Sequence, residues 1–159
     1  MLGGMTYLGD GSISAALAPA DGRPRLGVGP MTATVVADVD LTGGRYSLYH
    51  LDLGSGAGAA PHFHRTFTES FHVQSGTVQR HAGEAWIDAG PGDHLVVPEG
   101  GIHGFRNAGT EHASMLMMSL PGVRREAYFA EVVAVIREER HLTPEEWTAL
   151  FARHDQYMV

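Results

Sequence analysis

The chain has 159 residues, a formal charge of −7 with its ten histidines neutral, and no cysteine. That length suits one domain able to bury a core unaided, the acidic balance argues against a nucleic-acid partner, and the missing thiols exclude disulfides and thiolate metal sites. All eleven basic residues are arginine, a bias of usage that indicates no function, and no basic segment followed by a long apolar run opens the chain. The expectation is a cytoplasmic protein with no membrane partner.

Residues 1–30 are rich in Gly, Pro and Ala. They are expected to form an irregular N-terminal segment that wraps the domain or adds an edge strand. From Met31 the texture changes. Short runs rich in Val, Thr, Leu, Tyr and Phe alternate with turn signals such as Thr42-Gly43-Gly44, Ser75-Gly76 and Gly90-Pro91-Gly92. This spacing predicts an all-β sandwich or barrel over 31–120. Strands are expected near 31–38, 45–53, 60–64, 67–74, 77–81, 84–89, 93–97, 102–107 and 112–120. The last of these is apolar on both faces: Ala113, Met115 and Met117 on one, Leu116, Met118 and Leu120 on the other. One face should see the barrel interior and the other a helix or a second copy of the chain. That second option, together with the amphipathic tail, motivates a homodimer.

Residues 121–159 read as a helical tail. Phe129, Val132, Val133 and Ile136 form a stripe at helical spacing, with Arg124, Arg125 and Glu126 among the polar positions. A second helix starts at Thr143, with Pro144 in its first turn and Glu146 completing a capping box. Its stripe is Trp147, Leu150, Phe151 and His154.

The chemistry concentrates in two blocks. In Pro61–Ser70 (PHFHRTFTES), His62 and His64 share one strand face because the side-chain period is two. Glu69 is an odd number of positions from His64. A turn through Arg65-Thr66, with Glu69 opening the antiparallel neighbour, lets all three converge. The second block, Gly92–Asn107, supplies His103 at the start of a strand. Together they resemble the two motifs of the cupin superfamily. Gly56, His62, His64, Glu69 and Gly76 fill G-x5-H-x-H-x4-E-x6-G, and Gly92, Pro98, Gly100, His103 and Asn107 fill G-x5-P-x-G-x2-H-x3-N. The C-terminal runs T-P-E-E-W and A-R-H-D-Q-Y-M resemble, more loosely, the tails of quercetin-dioxygenase-like bacterial cupins.

The resemblance implies a cupin jelly-roll barrel with His62, His64, Glu69 and His103 as ligands of one divalent transition metal. Three imidazoles and one carboxylate suit Fe, Mn, Ni, Co, Cu or Zn, and four protein ligands leave a position open. By the same resemblance Glu69 doubles as ligand and catalytic base, and Asn107 fixes a turn. Phe71 and Val73, on the Glu69 face, and Phe105, on the His103 face, are expected to line the interior near the metal. Met115 or Met117 is a candidate contact for an apolar substrate, with core filling as the other use. Trp86 is expected under the C-terminal helices or at a dimer contact. The implied activity is a metal-dependent dioxygenase using dioxygen on a small aromatic or enolic substrate. The alternatives are a non-oxidative cyclase, isomerase or lyase, and a small-molecule-binding cupin without turnover.

Overall fold

The structure is a computed structural model that describes residues 14–159, so the first thirteen residues of the N-terminal segment lie outside it. Eleven strands and three helices follow in order: β1 (Arg25–Val28), β2 (Met31–Ala37), α1 (Val39–Thr42), β3 (Ser47–Leu53), β4 (Gly58–Phe63), β5 (Thr68–Ser75), β6 (Val78–Ala82), β7 (Ala85–Ala89), β8 (His94–Val97), β9 (His103–Arg106), β10 (Ala113–Leu120), α2 (Arg125–Arg137), α3 (Pro144–Arg153) and β11 (Tyr157–Met158). The nine expected strands are all present, each within two residues of its expected bounds. The N-terminal segment supplies the edge strand β1, and the tail ends in a strand that sequence periodicity did not show. Among the described residues, no helix is long and apolar enough to cross a membrane.

The strands form a jelly roll of two sheets. One has the order β1-β2-β3-β10-β5-β8 and the other β11-β4-β9-β6-β7, every pairing being antiparallel. Strict alternation in β2 and β3 sends Met31, Ala33, Val35, Tyr49, Leu51 and Leu53 inward. The inward face of β10 adds Ala113, Met115 and Met117, and β5 adds Phe71 and Val73. These side chains fill the space between the sheets, with apolar burial contributing about 25 cal/mol per Å². Two motif glycines have backbone reasons to be glycine. Gly76 sits at φ 68°, and a Cβ there would lie 2.5 Å from the His112 carbonyl oxygen. Gly100, at φ 75°, sends its N–H 2.7 Å to the His64 carbonyl and so ties the second motif to the first.

The helix α2 packs on β1 and α3 on β11. Val132, Val135 and Leu150 form a small apolar cluster with Val28, Tyr128, Leu142, Trp147 and Phe151. The inward stripe of α2 therefore differs from the expected one. Arg125, Phe129, Val132 and Val135 are buried, whereas Ile136 is 53% exposed. Val132-Val133 and Val135-Ile136 offer two apolar stripes about 100° apart. Phe129, edge-on to Tyr49 with ring centroids 6.3 Å apart, selects the first. The α3 start is as expected: Thr143 accepts from the Glu146 N–H at 3.2 Å, and the Glu146 carboxylate accepts from the Thr143 N–H at 2.8 Å.

One expectation is corrected, and one of two alternatives for Trp86 is not supported. The strands β4 and β5 are not antiparallel neighbours but lie in different sheets. The chain turns a corner at Arg65-Thr66-Phe67, so Glu69 faces the two histidines across the barrel. Trp86 lies on the edge strand β7, edge-on to His81 and under the Arg106 guanidinium at 4.2 Å, and it is not part of the helix cluster, which leaves the dimer contact as its expected role.

Leu150 is 2% exposed, whereas Trp147 is only half-buried. We expect Leu150→Ala to cost about 2–5 kcal/mol in denaturant unfolding, and Trp147→Ala to cost less than the ~3–5 kcal/mol typical of a fully buried large aromatic side chain. A larger loss for Trp147→Ala than for Leu150→Ala would contradict this packing.

Candidate metal centre

The four predicted ligands meet. His62 comes from the end of β4, His103 from the start of β9, and the two are register partners in one sheet. Glu69 comes from β5 in the other sheet, and His64 from the corner between them. Each is 2% exposed. One ligand atom from each lies within 4.8 Å of all the others.

Each imidazole is oriented by a main-chain carbonyl. His62 Nδ1 lies 2.7 Å from the Ala60 oxygen, His64 Nδ1 2.6 Å from the Asp155 oxygen, and His103 Nδ1 3.0 Å from the Gly101 oxygen. A carbonyl can only accept, so each Nδ1 carries the proton and each neutral ring has its lone pair on Nε2. His103 Nε2 is 3.0 Å and His64 Nε2 3.4 Å from Glu69 Oε2. A lone pair at that distance from a carboxylate oxygen is repulsive unless a proton or cation lies between them. His64 Nε2 and Glu69 Oε1 are moreover buried without a hydrogen-bond partner. Ligands at about 2.0–2.2 Å from one ion and near a right angle would be roughly 3 Å apart, close to the His103–Glu69 and His64–Glu69 distances. The donor set therefore fits a divalent cation.

The electrostatics keep His62 and Glu69 in ligand form. Burial, then the neighbouring His103 charge, pushes His62 down to about 3, against the bond to Ala60 and the Glu69 charge. It is neutral at pH 7. Burial alone would raise the Glu69 carboxyl, but the His103 and His64 rings against it and the Arg125 charge outweigh that, and its pKa falls well below the usual range.

The corner is fixed from the tail. Asp155, in the left-handed region at φ 53°, gives its carbonyl to His64 while its carboxylate accepts from the Thr66 N–H at 2.8 Å, the Thr66 hydroxyl at 2.7 Å and the Arg65 N–H at 3.0 Å. Phe67, 1% exposed, stacks on His64 with centroids 4.3 Å apart. Behind this, β11 pairs Met158 with His62. Sequence reasoning missed Asp155, because an acid after a helix carries no signal of a partner 90 residues away. Asn107 behaves as expected: its amide donates to the Leu53 and Glu111 carbonyls and its oxygen accepts from the Gly109 N–H.

A cavity of about 230 Å³ opens beside the cluster, and both His62 and Glu69 are in its wall. Phe105 and Met117 line it, with Phe129 and Phe151 from the helices. Phe71, Val73 and Met115 lie in the surrounding core, outside that lining. Arg125, Tyr128 and Gln156 also reach the cavity. Sequence reasoning placed Arg125 on a polar helix face; it is instead 6% exposed.

The comparisons with known proteins agree with this architecture. The family model described as Cupin domain matches residues 49–119. Quercetin 2,3-dioxygenase of Bacillus subtilis (strain 168) is 27% identical over 119 residues, covering 75% of this chain but only 35% of that enzyme, so the chain spans about a third of its length. Among solved structures, KdgF from Halomonas sp. superposes with a TM-score of 0.60 at 18% identity, covering 70% of this chain and 99% of that one. The polyketide cyclase RemF from Streptomyces resistomycificus superposes with a TM-score of 0.59 at 18% identity, covering 68% and 80%. At these identities the structural likeness concerns the fold. With both motifs filled, the jelly roll in place and the family model matched over residues 49–119, the chain has the cupin fold and resembles the small quercetin-dioxygenase-like cupins.

Proposed function

We propose that the protein is a metal-dependent enzyme, a dioxygenase acting on a small aromatic or enolic substrate with adjacent oxygens. The observation that carries this reading is the buried three-histidine, one-glutamate cluster with an apolar, aromatic-walled cavity against His62 and Glu69. The 27% likeness to a quercetin 2,3-dioxygenase supports the reaction class. A cavity of about 230 Å³ is smaller than most ligand sites, ~300–1,000 Å³, which favours a compact substrate.

His62, His64, Glu69 and His103 would hold the metal, which would supply Lewis acidity and, if it is redox-active, access to dioxygen chemistry. The remaining work belongs to the chain. Glu69 Oε1, buried and unpartnered, is the atom to receive a substrate hydroxyl proton. Phe105, Met117 and Phe129 exclude water and press the substrate against the cluster. The carbonyl bonds to the three Nδ1 atoms keep the imidazoles from rotating when a substrate enters. Within this reading we place the cysteine-free chain in the cytoplasm. We also propose that it works as a homodimer through the outer face of the six-stranded sheet. There Leu48 and Met118 are register partners and Leu116 lies beside them, all half-buried, with Val96 60% exposed.

Purified protein is expected to carry about one divalent transition metal per chain by elemental analysis, lost in the His62→Ala, His103→Ala double variant. Equal metal in both proteins would rule the site out. Acid should release the metal. The His62 pKa is depressed to about 3, so as pH falls below ~6.5 the released and unfolded forms take up protons that the folded, loaded form excludes, and both metal retention and folding stability decline towards about pH 3. Unchanged retention after long dialysis at pH 4 would contradict the assignment.

Glu69→Gln keeps shape and an oxygen donor but cannot take a proton at neutral pH. In metal-loaded protein it is expected to lower turnover by at least about a hundredfold, read as dioxygen uptake with a vicinal hydroxy-keto aromatic. Turnover at the wild-type rate would remove the base role. Conversion that proceeds equally well without oxygen would replace the oxygenase reading with a cyclase or isomerase.

Light scattering at high concentration should give twice the 17.1 kDa chain mass, reverting to one chain in Leu116→Arg. A monomeric wild type would end the dimer proposal.

A further inference from the structure

Arg125 is a buried cation, 6% exposed, that makes no direct ion pair among the described residues, although its charge is felt at Glu69. Its NH2 group donates to Gln156 Oε1 at 2.8 Å and its NH1 group to the His154 carbonyl at 3.3 Å, both neutral acceptors. Its Nε is buried with no partner at all. The guanidinium lies 4.2 Å over the Tyr128 ring, which holds the plane of the fork but accepts no conventional hydrogen bond. A guanidinium has five donors and is always charged, and leaving such a group buried and under-satisfied is costly. Gln156, 3% exposed, is in the same condition on its amide side, where its nearest partners are Tyr128 Oη at 3.4 Å and Met158 Sδ at 3.7 Å.

These groups line the cavity that also exposes His62 and Glu69. Everything else prominent in its wall is apolar: Val28, Met31, Phe105, Met117, Phe129 and Phe151. The cavity thus has two polar features in an otherwise apolar wall, the histidine–glutamate cluster and the Arg125–Gln156–Tyr128 group. A ligand that matches it has an apolar body, a group for the cluster and an anionic oxygen for the arginine.

We propose that Arg125 is the substrate-docking cation of this site, receiving a carboxylate carried by a compact aromatic acid whose other end faces the cluster. The inference rests on the reading of the cavity as the substrate site. A carboxylate would take the free Nε–H and one NH2 hydrogen in the two-point geometry that guanidinium favours. Gln156, by accepting from the other side, holds the fork in that orientation. The site then selects against neutral aromatics of the same shape, because these leave the charge unpaired.

The probe is benzoate against benzamide, identical in shape and different in charge, with affinity read by calorimetry on metal-loaded protein. Wild type should bind benzoate about ten- to a hundredfold more tightly than benzamide, the range of a charge-assisted hydrogen bond. Arg125→Gln should abolish that preference, and Arg125→Lys should retain part of it. Because Arg125 also braces α2 against the tail, Gln156→Glu provides a second variant. It supplies an internal counter-ion without removing the strut, and should also abolish the preference while the melting temperature holds. Equal affinity for the two probes in wild type would overturn the proposal, leaving Arg125 as a strut. It would also be overturned if benzoate binding survived in Arg125→Gln but disappeared in the metal-free His62→Ala, His103→Ala variant, since the carboxylate would then sit on the metal. Arg125-dependent preference in protein that proves to carry no metal would sustain this inference while refuting the metal-dependent reading above.

Discussion

Three imidazole lone pairs and a carboxylate held together out of contact with water repel one another. Everything around the cluster serves to keep that arrangement from relaxing. The rings cannot turn away, because each has its one N–H committed to a main-chain carbonyl at 2.6–3.0 Å. The carboxylate cannot retreat, because Glu69 is on β5, flanked by β10 and β8. The repulsion is therefore built into the fold, and a cation held there would neutralise it. In such a site the backbone geometry of Ala60, Gly101 and Asp155 matters as much as the ligand side chains.

The helical tail belongs to the same device. In the sheets alone the cluster would face an open barrel mouth. The helices α2 and α3 bring Phe129, Phe151 and Arg125 over that mouth, and the chain then returns so that β11 pairs with the strand bearing His62. Tyr49 anchors the start of α2 from inside the barrel: its hydroxyl meets the Glu126 carboxylate, the Arg125 N–H and the Val123 carbonyl. That hydroxyl is held far from ionisation by burial and by the Glu126 carboxylate. The wall of the cavity is thus composed of residues more than 90 positions apart in the chain.

What the sequence made legible follows from what is local. Alternating strands, the capping box at Thr143 and the spacing of His62, His64, Glu69 and His103 are short-range patterns, and each survives intact in the structure. What it hid depends on tertiary choice. His62, His64 and Glu69 converge, but across two sheets instead of along a hairpin, because a five-residue separation looks the same whether the chain turns back or crosses over. The inward face of α2 could not be read from a helix with two adjacent apolar stripes; Tyr49 and Phe129 decide it. Arg125 looked like a solvated charge and is buried, and Asp155 gave no sign of its bond to His64. Both are single polar residues whose partners are set by the docking of the tail.

That bond from Asp155 to His64 ties two events that would otherwise be independent. The tail contributes the orientation of a ligand, so docking the tail and filling the centre share a free energy of coupling. By reciprocity, whatever the docked tail adds to cation affinity, the bound cation returns to the docked tail. An ion held at the centre would therefore stabilise the last turn of α3 and the strand after it against local opening. Loading with an ion and sealing of the cavity would then be two readings of one equilibrium.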